Sequence, residues 1–198
     1  MSGPHPALPF ALLLVLAALV ALRGGAVARK AAGPVVAFGR GDDAHDFLGR
    51  GFRAVALLLA ASFAARLVWP AFDGAAGSVP WLAAPLFGWG GLGLILLGTL
   101  LVASAQWQMG RSWRIGLAPE ATELVTDGWF RVSRNPVFLG FLAVLAGALL
   151  CVPSAVTAAL LAAGWLAMSV QARLEEAHLE RLHGPAYAEY RARVRRWL

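Results

Sequence analysis

Two polar segments in an otherwise apolar chain hold the residue types able to bind and react. The first runs Glu123-Leu124-Val125-Thr126-Asp127-Gly128-Trp129-Phe130-Arg131-Val132-Ser133-Arg134-Asn135-Pro136-Val137-Phe138. Asp127-Gly128 signals a turn, and Arg134-Asn135-Pro136 is a polar knot directly before an apolar run. Asn135 can donate a hydrogen bond but cannot titrate as a general base near neutral pH. Pro136 suits the first turn of a helix, with Asn135 as its N-cap. The same residues therefore also fit a plain capped helix with arginines at a membrane surface.

The second segment, Gln171-Ala172-Arg173-Leu174-Glu175-Glu176-Ala177-His178-Leu179-Glu180, continues an apolar run with no breaker before Gly184-Pro185. Successive helical residues point about 100° apart, so Glu175 and Glu176 cannot share a face. Glu175, Leu179 and Leu182 fall at i, i+4 and i+7, which puts Glu175 on the inward, apolar stripe and makes it a functional candidate. Glu176 falls beside Arg173 and Glu180 and reads as a solvated salt-bridge partner. Beyond Gly184-Pro185, Tyr187, Tyr190, Val194 and Trp197 form one stripe against Arg191, Arg193, Arg195 and Arg196, the pattern of a basic helix lying on an anionic leaflet.

Other chemistries are excluded by what is missing. Cys151 is the single cysteine, so no Cys-based metal site or disulfide framework is possible. His178 and His183 are not spaced as an i, i+4 ligand pair. Asp42, Asp43, His45 and Asp46 lack the tight-turn ligand pattern of a calcium loop and read as a solvated part of a flexible connector, 23–53. No metal is expected. No Walker motif occurs, and no GxGxxG follows a strand.

The elements that must carry these segments are membrane helices. Of 198 residues, 59% are hydrophobic and only 14% charged, against roughly 25% charged in soluble domains. Apolar runs at 6–22, 54–72, 81–105, 137–152 and 154–170 approach the 20 or so residues needed to span a bilayer. Pro153 splits the last two into a tight hairpin. Ala26-Val27-Ala28 resembles a cleavage site, but no Lys or Arg precedes the first run while Arg23, Arg29 and Lys30 follow it, so it reads as an uncleaved span.

The net charge is +6, and sixteen of seventeen Lys/Arg fall in 23–53, 106–136 and 171–198. Nucleic-acid binding is the usual reading of such charge, but here the basic residues flank apolar runs in alternate connections, as the positive-inside rule requires. No nucleic-acid partner is expected. The chain is expected to be an all-α membrane bundle, one integral domain over 1–198 with five spans, N-terminus outside and C-terminus cytoplasmic, in a bacterial inner membrane. Arg66 is the exception, inside the second run, and is expected to snorkel to the outer surface.

Taken together, Leu124-Val125-Thr126-x-Gly128-x-Phe130, Arg134-Asn135-Pro136-x-Phe138-x-Gly140, the hydrophobic hairpin, Glu175-Glu176-x-x-Leu179 and Gly184-x-x-Tyr187-x-x-Tyr190 resemble the isoprenylcysteine carboxyl methyltransferase and phospholipid methyltransferase superfamily of membrane enzymes. The likeness covers about 106–194. It implies S-adenosylmethionine bound at the cytoplasmic face, between the loop before the fourth span and the helix after the fifth. On matching positions Leu124 and Val125 would border the adenosine with Phe130 against it. Asn135, Pro136, Val137 and Phe138 would cradle the cofactor, Glu175 would take an amine or ribose hydroxyl, and Tyr187 would complete the site. Arg134 and Asn135 stand at the catalytic motif.

Two departures bear on the acceptor. The motif usually reads Arg-His-Pro, whereas Asn135 stands here, and the ending Val194-Arg195-Arg196-Trp197 lacks the proline after valine. An anionic acceptor needs little acid–base work, so a lipophilic or lipidated carboxylate or thiolate is favoured over an amine. A nicotinamide-dependent membrane reductase on the same scaffold, or a non-catalytic binding module, are the alternatives.

Overall fold

The computed structural model describes residues 2–29, 43–69, 71–112 and 123–198. All of the secondary structure there is helical apart from an isolated bridge. Four long apolar helices could cross a membrane: α1 (Ala7–Ala28), α2 (Ala44–Val68), α4 (Pro85–Gln108) and α6 (Ala155–His183). A shorter apolar helix, α5 (Pro136–Cys151), lies between α4 and α6. The single turn α3 (Phe72–Ala75) and the polar α7 (Pro185–Arg193) complete the set. Outward faces carry Leu14, Leu57, Leu58, Leu97 and Leu166 in the open. Such surface is stable against lipid and not against water. The protein is an integral membrane protein.

The five large helices close a ring in the order α1, α4, α5, α6, α2, and α2 returns to α1. Two contacts fix the sense of α1 against α4. Gly88 abuts Pro4 near both helix starts, and the Arg23 guanidinium donates to the Gly110 carbonyl near both ends. They run parallel, and the other neighbours alternate. Glycines set the closest seam. A Cβ on Gly98 would stand 2.5 Å from the Gly140 carbonyl oxygen, and one on Gly91 would stand 2.5 Å from that of Gly147. The two pairs are reciprocal, so backbone meets backbone twice along α4 and α5. Phe63, Ile95, Val102, Val144 and Ala148 fill the interior.

The α5–α6 turn forms where Pro153 predicts it. Ser154 caps α6 in a reciprocal box with Thr157, whose hydroxyl also donates to the Val152 carbonyl at 2.6 Å. The Val79 amide donates to the Pro153 carbonyl and Ser78 bridges Ser154, which pins the α3–α4 connection to this turn. Arg66 does turn toward this end. It pairs with Asp73 at 3.0 Å and donates to the Cys151 carbonyl at 2.7 Å, supplying one of the donors that the end of α5 lacks.

Three expectations are corrected. The connector 23–53 is in large part helix: α1 runs on to Ala28 and α2 starts at Ala44, capped by Asp43, which accepts from the Asp46 amide. His45 and Asp46 are therefore buried in the first turn of α2 rather than solvated. Lys30, Arg40, Asp42 and Arg114 lie outside the described residues. Second, α7 buries its Tyr187 and Tyr190 face against the protein, so that face is not free for a bilayer. Third, α7 ends at Arg193 because Val194 is extended, and Trp197 leaves the stripe to pack on Trp165 of α6, ring centres 5.3 Å apart.

Candidate active site

At the end of the bundle opposite Arg66, the segment before α5, the last turns of α6 and α7 enclose a cleft. Its volume is about 530 Å³, counting the space that opens to solvent. Apolar walls come from Leu124, Val125, Phe130 and Leu179, and polar groups from Arg134, Asn135, Glu175, Glu176 and Tyr187, with Met109, Ser112, Glu123 and Tyr190 at the margins.

The segment before α5 is held at both feet. Gly128 has φ +58° and its Cα lies hard against the Gln108 side chain, a position that glycine alone fits without strain. Gln108 Oε1 accepts from the Trp129 amide, and the Trp129 indole N–H donates to Ser104. Phe130 is swung into the cleft, and its carbonyl accepts from the Tyr190 hydroxyl at 2.7 Å. At the other foot the extended tail after α7 returns. The Arg195 carbonyl accepts from the Arg134 amide, and the Arg196 carbonyl accepts from the Ser133 hydroxyl and from Asn135 Nδ2.

Asn135 stands at the N-cap position, but its side chain makes no cap hydrogen bond. Its amide is spent on the Arg196 carbonyl instead, a tail contact that local sequence cannot reveal. Pro136 occupies the first turn as expected. Of the expected cofactor residues, Leu124, Val125, Phe130, Asn135, Glu175 and Tyr187 line the cleft. Pro136, Val137 and Phe138 do not. Once α5 begins, each residue turns about 100°: Val137 backs the wall behind Phe130, and Phe138 stacks on Phe52 of α2.

The two glutamates differ, but not as helix spacing suggests. Both reach the cleft. Glu176 is 7% exposed, and it meets Arg134 at 3.1 Å and Arg196 at 2.7 Å. It is not a solvated partner of Arg173, which donates instead to the Ser169 carbonyl. The tail carries Arg196 inward and makes that side of α6 an inside face. Burial works against the Glu176 charge, but the Arg196 hydrogen bonds and the nearby Arg134 outweigh it and hold its pKa below the ordinary value.

Among the described residues no guanidinium bonds Glu175; it accepts from Gln171 Nε2 at 3.0 Å. Burial pushes its pKa up to about 7, the Gln171 hydrogen bond opposes the rise, and the neighbouring Glu176 charge adds to it. Arg134 is the complement. Its side chain is 9% exposed, and among the described residues its Nε and Nη1 find no acceptor. A buried guanidinium with spare N–H groups is costly unless an anion completes it. Thus one cleft offers a carboxylate for a cation and unsatisfied donors for an anion. Among the described residues no His, Cys, Asp and Glu cluster could hold a metal. Arg196, Glu176, Ser133 and Gln171 escape sequence reasoning, since their roles arise only when the tail and α2 pack.

A helical membrane protein with an amphipathic, ion-lined cleft at one end of its bundle defines a class of membrane enzymes acting on small or lipophilic molecules. The comparison with known families makes the class specific: the phospholipid methyltransferase family matches residues 86–186, just over half the chain, and the protein belongs to that family. It is a methyltransferase of the membrane, and enzymes of this family use S-adenosylmethionine. No curated protein matches the chain.

Proposed function

We propose that the protein transfers the methyl group of S-adenosylmethionine to a lipophilic acceptor, with the cleft open to the cytoplasm. The observation that carries this reading is the presence in one cleft of Arg134, whose Nε and Nη1 find no acceptor among the described residues, and of the Glu175 carboxylate. The amino-acid end of the cofactor is itself a carboxylate beside an ammonium. Arg134 would hold the carboxylate and Glu175 the ammonium, while Leu124, Val125 and Phe130 give the adenosine an apolar wall. Asn135 is committed to the tail through Nδ2.

The bound sulfonium supplies an electrophilic methyl group, whose S–CH₃ bond breaks as the bond to the acceptor forms and S-adenosylhomocysteine leaves. The chain's part is to align the two and exclude water. Asn135 cannot take a proton, which favours an acceptor that arrives as a carboxylate or thiolate. The family's name favours a phospholipid acceptor. Every described Lys and Arg except Arg66 sits at the cleft end, which by the positive-inside rule faces the cytoplasm. α5 serves as the fifth span.

The test is calorimetric titration of the detergent-purified protein with S-adenosylmethionine and, separately, NADPH. Saturable binding of the first alone supports the assignment, and binding of NADPH alone overturns it in favour of a reductase. Transfer of labelled methyl to lipid extracts fractionated by headgroup would then identify the acceptor.

A further inference from the structure

Glu175 is joined to α2 by a two-step chain of hydrogen-bonding groups. Gln171 Nε2 donates to Glu175 Oε1 at 3.0 Å, and Gln171 Oε1 lies 3.2 Å from His45 Nδ1. Gln171 is 1% exposed and His45 8%, so water does not compete for these contacts. We propose that His45 and Gln171 are positioning residues that together set the orientation and charge of Glu175, which puts part of the site's control on α2, outside the matched stretch 86–186.

An ionised carboxylate only accepts, so it takes the NH₂ side of the Gln171 amide. The amide oxygen is then turned toward His45, which must donate from Nδ1. If Glu175 is protonated and donates, the amide has to turn over and present its NH₂ to His45. The imidazole must then accept at Nδ1 and carry its proton on Nε2. A Glu175 that accepts and a Glu175 that donates thus call for opposite orientations of the buried amide, and each orientation calls for a different role at His45 Nδ1. A cationic imidazole cannot accept at all, so it permits only the arrangement in which Glu175 accepts from the Gln171 amide.

Among the described residues, few charged and titratable groups stand around Glu175. Glu176 lies on its own helix, Glu123 and Arg134 come from the segment before α5, and Tyr187 and Tyr190 come from α7. His45 with the adjacent Asp46 comes from α2. Arg134 and Arg196 are engaged by Glu176. Among the described residues the Gln171 amide is the donor bonded to Glu175, and its orientation bears on whether that carboxylate is ready for a cation.

The inference rests on the cofactor reading only for the identity of that cation, and the test separates the two. In ligand-free protein labelled with ¹⁵N-histidine, His45 should show the Nδ1–H tautomer above pH 7, its signal assigned by loss in His45→Asn. S-adenosylmethionine titrations across pH 5.5–8.5 should show His45→Ala and Gln171→Ala binding roughly five- to tenfold more weakly, the loss expected of one hydrogen bond. Their binding midpoints should also move to higher pH. His45→Asn keeps an N–H at the Nδ1 position without titrating and should restore affinity. An Nε2–H tautomer above pH 7, or unchanged binding in both alanine variants, overturns the inference. A wild-type protein that binds no S-adenosylmethionine sinks the cofactor reading instead, and the ¹⁵N spectrum still decides the hydrogen-bond chain.

Discussion

Arg196 grips Glu176 with two parallel hydrogen bonds, Nε to Oε1 and Nη2 to Oε2, each 2.7 Å long. This fork joins the extended tail to α6 at the floor of the cleft, and Arg134 completes it from the segment before α5 at 3.1 Å. Fork geometry of this kind is the strong form of a charge-assisted pair. Removing the shared carboxylate leaves two guanidinium groups facing each other without it. Glu176→Ala should destabilise the protein by about 3–5 kcal/mol, the cost of breaking a buried ion pair. Arg196→Ala, whose side chain is 31% exposed, should cost less. Denaturant unfolding in mild detergent measures both. A loss below about 1 kcal/mol at Glu176, the surface-pair range, would mean the fork contributes no more than a surface pair.

The glycine seam makes a second prediction. Gly98→Ala sets a methyl 2.5 Å from the Gly140 carbonyl oxygen, and that oxygen is backbone, so it cannot swing aside. The helices must separate, at a cost of about 1–3 kcal/mol for overpacking. Gly90→Ala on the same helix meets nothing within 4 Å and serves as the control. Equal melting temperatures for the two variants would refute the tight seam.

Glu175 gives a pH dependence whose sign can be worked out. Its pKa rises from 4.5 to about 7 on folding, so between these values the folded protein holds a proton that the unfolded chain has released. The stability it contributes is fully present below pH 4.5 and is lost as pH rises through about 7. Glu175→Gln should therefore flatten the fall in melting temperature between pH 5.5 and 8. Binding of S-adenosylmethionine should show the opposite trend, strengthening as Glu175 ionises, and the glutamine variant should bind roughly tenfold more weakly at pH 8. Variant and wild type with parallel pH profiles would remove Glu175 from the cofactor's ammonium.

Topology is open to a direct test. Reporters fused after Leu198 should register the cytoplasm, and a reporter between Asp73 and Ser78 should register the outside. The same side for both would remove α5 as a span and invert the placement of the cleft.

Much of the frame was legible in the sequence because its signals are local. Pro153 and Pro136 mark the hairpin turn and the start of α5, Gly128 marks a left-handed turn, and Gly184-Pro185 divides α6 from α7. The inward face of Glu175 follows from helical periodicity. What stayed hidden depends on segments distant in the chain. Glu176 looks solvated until Arg196 arrives, Asn135 looks like a cap until the Arg196 carbonyl claims it, and His45 looks like a loop residue until α2 packs on α6. Arginine spacing in 191–196 announces a charged helix but not which guanidinium turns inward.

The short α5 has a consequence for the surrounding bilayer. Its 16 residues rise about 24 Å, some 6 Å less than a typical hydrocarbon core of about 30 Å. The neighbouring α6, at 29 residues, is about 43 Å long. Hydrophobic mismatch of that size is met by thinning the leaflets around the short helix. With α5 as the proposed fifth span and the cleft at its start, the mouth would be drawn toward the level of the acyl–headgroup boundary. The proposed lipophilic acceptor would then arrive by sideways diffusion within its leaflet, and acyl-chain length in the host membrane would tune turnover without touching any residue of the site.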